Sequence, residues 1–146
     1  MKPRAAWPVL AKKAKEKCDE AAAAVVKGRE RVTHLQQSRA RMEMLYEDYV
    51  RRSREAESKS HNIAETLNFR GFMQQLQALI IRVDHDLQKA NDELEALKRA
   101  LRGAEHKRIQ METLMEQDLK RVREHAMRRE QREMDAAGVM LYNLRT

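Results

Sequence analysis

The sequence predicts an all-α chain, a long two-helix antiparallel coiled-coil hairpin, on three observations. Of its 146 residues 36% are charged and only 4% aromatic, the composition of long helices and coiled coils. Four glycines and two prolines are too few for the turns of a sandwich or of βαβ units. Two apolar stripes of helical period, separated by one polar break, complete the argument. Pro3 and Pro8 precede the first long pattern, so nothing from Val9 to Thr146 forbids a helix. The chain reads as one domain over residues 1–146, with a first helix over about 8–58, a turn over about 59–68, a second helix over about 69–135 and frayed termini.

In the first helix the stripe runs Trp7, Ala11, Ala14, Cys18, Ala21, Val25, Gly28, Val32, Leu35. It continues through Met42, Leu45 and Tyr49, with Ser38 or Arg39 a weak step between. Steps of three and four hold one narrow seam on a helix. Small residues from Ala11 to Gly28 permit close approach but bury little area. This half therefore needs a bulkier partner stripe.

The break is Ser58-Lys59-Ser60-His61-Asn62, which keeps no heptad. Asn62, with Glu65 three residues on, and then Asn68 each offer a helix start, because a side-chain oxygen can accept an orphan amide proton there. So short a link makes the helices antiparallel. A turn centred near residue 63 places Tyr49 close to Leu79 and Gly28 close to Leu101. The competing arrangement pairs each half with a second copy.

The second helix supplies the bulky stripe. One series is Met73, Ile80, Leu87, Leu94, Leu101, Arg108, Met115, Val122; its companion is Leu76, Val83, Ala90, Leu97, Ala104, Met111, Asp118. Alternating steps of four and three form the seam of a left-handed coiled coil, with Arg108 and Asp118 as the two polar exceptions.

Net charge is +7, and it is uneven. Residues 1–31 carry nine Lys/Arg against four Asp/Glu, residues 119–146 seven against four, and residues 32–118 fourteen against fifteen. A hairpin brings the two basic terminal segments to one end, a pole that attracts an acidic or ring-shaped partner. Aromatics gather at the other end, where Tyr46, Tyr49, Phe69 and Phe72 flank the turn with Leu79 and Ile81 nearby. A two-helix seam cannot cover all of these, so part of the group should face water as a partner site.

Catalytic, cofactor and metal chemistry are not expected. His34, His61, His85, His106 and His125 include no pair at helical ligand spacing. Cys18 occupies a seam position and reads as a small apolar residue. Gly28, Gly71, Gly103 and Gly138 are isolated, so there is no phosphate-cradling loop. Two helices also lack the concave pocket that an enzyme needs. No window approaches the roughly 18 apolar residues of a membrane span. The basic start runs into Lys12, Lys13, Lys15 and Glu16 instead of a signal peptide's apolar stretch, so a cytosolic location is expected. Nucleic acid is the competing partner class, through Arg51-Arg52-Ser53-Arg54 and Lys120-Arg121-Val122-Arg123. Both clusters are surrounded by carboxylates, which argues against it.

Three motifs in order are more particular: Leu45-Tyr46-Glu47-Asp48-Tyr49 closing the first helix, Asn68-Phe69-Arg70-Gly71-Phe72-Met73-Gln74-Gln75-Leu76 opening the second, and Arg128-Arg129-Glu130-Gln131-Arg132-Glu133-Met134-Asp135 near the end. Together, collinear over nearly the whole chain, they resemble the FliJ family of the bacterial flagellar type III export apparatus. The resemblance implies a coiled coil like the central stalk of rotary ATP synthases, which enters the hexameric export ATPase FliI and promotes its assembly and activity. It also implies contact with the export-gate protein FlhA and with export chaperones, at the flagellar base on the cytoplasmic side of the inner membrane. Carried over by position, the gate-binding residues would be Ser38, Met42, Leu45, Tyr49, Phe72, Leu76, Leu79 and Val83. The cations facing the ATPase ring would be Lys12, Lys13, Lys15, Lys120, Arg121, Arg123, Arg128, Arg129 and Arg132. A counterpart in a virulence secretion system would carry the same pattern.

Overall fold

The computed structural model describes residues 2–59 and 63–145. It is an all-α helical hairpin of two helices, α1 (Ala6–Ser58) and α2 (Ile63–Arg145), and the described residues contain no strand. Pro8 falls in the first turn of α1, where an amide proton would have no intrahelical acceptor, so its missing N–H costs nothing. At the far end the Ser58 hydroxyl donates to the Glu55 carbonyl at 2.7 Å and the Lys59 amide donates to the Ala56 carbonyl at 3.2 Å. These bonds satisfy two carbonyls that the ending helix leaves open.

α2 begins at Ile63, six residues before the expected start near 69, and it continues to Arg145, past the expected end near 135. Residues 63–68 contain neither Gly nor Pro, and Glu65 in the first turn complements the positive end of the helix dipole. Asn68 is absorbed into the helix interior. At the other end Gly138 alone does not outweigh the Ala, Met and Leu around it. Of the expected turn, residues 60–62 lie outside the described residues.

The chain divides into two compact units, residues 22–100 and residues 1–21 with 101–146. Within residues 22–100 the helices run antiparallel. Going up α1, Gly28 lies against Leu97 and Leu94, Arg31 pairs with Glu93, Arg39 with Asp84, Tyr46 with Gln77, and Tyr49 with Phe72 and Phe69. The register differs from the expected one. Gly28 sits between Leu97 and Leu94 where Leu101 was expected, and Tyr49 meets Phe72 where Leu79 was expected. Each partner lies one or two helical turns nearer the start of α2, and the same stripe still faces the seam. The physical cause is the shorter link, since only residues 59–62 separate the helices.

The seam itself lies where the periodicity puts it. All fifteen α2 positions named for it are buried or half-buried, including both polar exceptions. Val25, Val32, Leu76, Ala90 and Leu94 form the core of residues 22–100. On α1 the stripe holds through Met42, but Leu45 is 41% exposed and Tyr46 takes the half-buried place beside it. Ser38 and Arg39 are both half-buried; the stripe passes between them and leaves one position later than a step through Leu45 would require.

Within residues 1–21 and 101–146 the core is Ala11, Ala14 and Cys18, and the polar seam residues have partners. Asp118 is buried, and its Oδ2 accepts the Arg4 amide at 2.8 Å, holding the chain just before α1 begins. Arg108 donates to both Glu112 oxygens, at 3.1 and 3.2 Å. Hydrogen bonding to Glu112, and then to Cys18, raises the Arg108 pKa above its ordinary value. The charged side chain thus lies along the seam with its charge satisfied. Beyond Val122, α2 is exposed at every described position.

Candidate partner-binding surfaces

The aromatic residues around the turn assemble into one cluster within residues 22–100. Tyr49 stacks on Phe72 with ring centroids 4.3 Å apart and packs edge-on to Phe69 at 6.0 Å. The Arg52 guanidinium sits 5.9 Å from the Tyr49 ring centre, a cation over an aromatic face. Tyr49, Ala56, Glu65, Asn68, Phe69 and Phe72 line an open groove. The cluster therefore closes the hairpin and still faces water, for Phe72 is 37% exposed.

The eight residues carried over for gate binding do not share one environment. Leu45, Phe72 and Leu79 are exposed, Ser38, Met42, Tyr49 and Val83 are half-buried, and Leu76 is only 4% exposed. Leu76 is a core side chain beneath the surface, out of reach of a partner unless the helices part. Further apolar groups extend the exposed surface of this unit: Met44 and Ile81, at 70% and 69%, and Leu67 at 60%. Ile81 stood out in the sequence as lying off the seam, whereas Met44 and Leu67 carried no such signal.

Electrostatic clamps fix this unit from its flanks. Arg39 bonds both Asp84 across the hairpin and Glu43 one turn along α1, the latter at 2.8 Å. Asp84, by hydrogen bond and by charge, and then Glu43 raise the Arg39 pKa above its usual value. The Tyr46 hydroxyl accepts a hydrogen bond from the Gln77 amide at 3.0 Å. Cross-helix pairs of this kind select partner and orientation more than they add stability. In the Arg51-Arg52-Ser53-Arg54 cluster, Arg51 and Arg52 share the single carboxylate of Asp48, which offsets one of the cluster's three positive charges.

All nine cations expected to face a ring are exposed and lie in the other unit. Arg129 pairs with Glu133 at 3.3 Å, an exposed helical pair of small energy. That unit carries sixteen Lys/Arg against eleven Asp/Glu, and residues 22–100 carry fourteen against twelve. The positive excess is therefore concentrated in the unit that contains both termini. No helix of the described residues is long and apolar enough to cross a membrane.

Residues 8–146 match the family described as Flagellar FliJ protein. The chain belongs to the FliJ family. No curated protein and no solved structure matches it. FliJ membership associates the chain with flagellar type III protein export. The FliJ match spans both helices and nearly the whole chain, so it covers the aromatic cluster and the basic unit alike.

Proposed function

We propose that this FliJ-family chain is a non-catalytic, stalk-like adaptor of the export apparatus at the cytoplasmic side of the flagellar base. In this reading the basic unit engages the hexameric ATPase FliI and promotes its assembly and activity. The surface around Tyr49, Phe72, Leu45 and Leu79 contacts the export gate FlhA. Export chaperones are further partners, without assigned residues. The observation that carries the gate half is the stacked Tyr49–Phe72 pair, which remains exposed at Phe72 and continues into exposed Leu45 and Leu79. Rigid aromatics already held in place bind with little loss of side-chain entropy. The ring half is supported by the exposed Lys12, Lys13, Lys15, Lys120, Arg121, Arg123, Arg128, Arg129 and Arg132, whose field would steer an acidic partner.

Two variants separate the halves. Tyr49→Ala with Phe72→Ala should lose FlhA binding while circular dichroism stays helical. Loss of helicity would instead make those rings indispensable to the core and remove the surface reading. Reversing Lys12, Lys13 and Lys15 to Glu should abolish FliI stimulation at low salt, and unchanged stimulation would remove the electrostatic reading.

A further inference from the structure

Residues 1–21 with 101–146 hold a groove between α1 and α2, bordered by Lys13 of the ring-facing cations and by side chains given no role above. Its floor is Leu10, Ala14, Ala104 and Met111, and its volume is about 200 Å³. A closed cavity of about 150 Å³ is enough to admit a benzene ring, so this groove has room for one bulky apolar side chain. Three lysines line it, Lys13 and Lys17 one turn apart on α1 and Lys107 on α2. Among the described residues none of the three makes an ion pair, and no carboxylate lines the groove. Arg108, next to Lys107 in sequence, is occupied by Glu112. The lining is almost wholly apolar, so the three lysines lend the groove their methylene stems and carry their ammonium groups at its rim, with no acid among them.

We propose that this groove docks an acidic segment of a partner protein, one bulky apolar side chain filling the floor and flanking Asp or Glu side chains meeting Lys13, Lys17 and Lys107. The chemistry selects that occupant. A nucleic acid would use the lysines for its phosphates and gain nothing from an aliphatic floor. A lipid surface needs a broad apolar face, and this floor takes a single side chain. The choice of partner rests on the ATPase-ring reading, within which the acidic segment belongs to the ring; binding of such a segment in isolation does not depend on that reading.

The test uses the full chain and a fluorescein-labelled peptide with one phenylalanine between two pairs of acidic residues. Anisotropy gives the affinity, and amide shifts of the labelled protein locate the peptide. Shifts should centre on Lys13, Lys17, Ala104 and Lys107. Replacing all three lysines by Gln should weaken binding roughly tenfold, the sum expected of three exposed ion pairs. Ala104→Leu, which fills the floor and keeps the charge, should weaken it comparably with helicity unchanged. A control peptide with serine in place of phenylalanine should bind as weakly as the Gln variant sees the original. Equal binding of the serine peptide, shifts spread over Lys120 to Arg132, preferential binding of an oligothymidine or of phosphatidylserine vesicles at the same residues, or no binding at millimolar peptide would each overturn the proposal. Failure of FliI stimulation with peptide binding intact would remove the ring reading and leave the groove standing.

Discussion

Replacing glycine by alanine at three helical positions should stabilise the protein at two of them and bring no gain at the third, and the contrast follows from what a new methyl would meet. In an exposed helix interior alanine is favoured over glycine by about 0.8–1.0 kcal/mol. At Gly71 and Gly103 a Cβ would have no heavy atom within 4 Å, so each substitution should stabilise the protein by nearly that full amount. At Gly28 the same carbon would lie 3.0 Å from Leu97 Cδ1 and 3.2 Å from Leu94 Cδ1. Leu94 is a core residue with little room to turn away. Overpacking of this kind costs about 1–3 kcal/mol, so Gly28→Ala should range from neutral to about 2 kcal/mol less stable after the propensity gain. Urea unfolding followed by circular dichroism measures all three, and for a chain of this size each kcal/mol moves the melting point by roughly 2–4 °C. A stabilisation at Gly28 equal to that at Gly103 would show that Gly28 does not face the leucine pair and would refute the register. No gain at Gly103 would mean that α2 is not an ordinary exposed helix there.

Leu76→Ala should cost about 2–4 kcal/mol by deleting a core side chain, while Leu79→Ala, at a site 47% exposed, should cost less than about 1 kcal/mol; chemical denaturation separates the two. Asp118→Ala should release the Arg4 amide and loosen the start of α1 by about 1 kcal/mol, read as faster hydrogen exchange from Arg4 to Trp7 with exchange near Val32 unchanged. Phe72→Leu keeps the apolar volume but removes the stack on Tyr49, so it should lose about 0.5–1.5 kcal/mol of stability and weaken FlhA binding as well. An unaltered FlhA affinity would mean that the ring serves only to close the hairpin.

The sequence exposes the seam because a period of three and four is written directly in the residue order, and Arg108 and Asp118 belong to it despite their charge. Register is another matter. Sliding one stripe past the other by a heptad keeps every apolar residue inward, so the choice falls to the link, and the early start of α2 at Ile63 decided it. The weak step at Ser38 and Arg39 hides a similar ambiguity, which the packing settled by taking Tyr46 inward and leaving Leu45 out. Tyr49, Phe72 and Leu79 could be picked out before any coordinates, as aromatic and apolar residues in excess of what two helices can cover. The burial of Leu76 beneath that surface follows the seam and not the carried-over role. The groove of Lys13, Lys17 and Lys107 was invisible in the sequence, since Lys107 reaches the other two only when the helices pair.

Both assigned surfaces require α1 to fold back on α2 within one molecule in the observed register. The ideal Cβ of Gly28 lies 4.0 Å from Leu94 Cα, close enough for a disulfide to form with slight adjustment. With Cys18 replaced by Ala, Gly28→Cys paired with Leu94→Cys should oxidise to a monomer that migrates faster without reductant. Gly28→Cys paired with Leu87→Cys should remain reduced under the same conditions. A product of twice the mass, or efficient closure only with Leu87→Cys, would contradict the hairpin or its register, and with it the surfaces assigned to each partner.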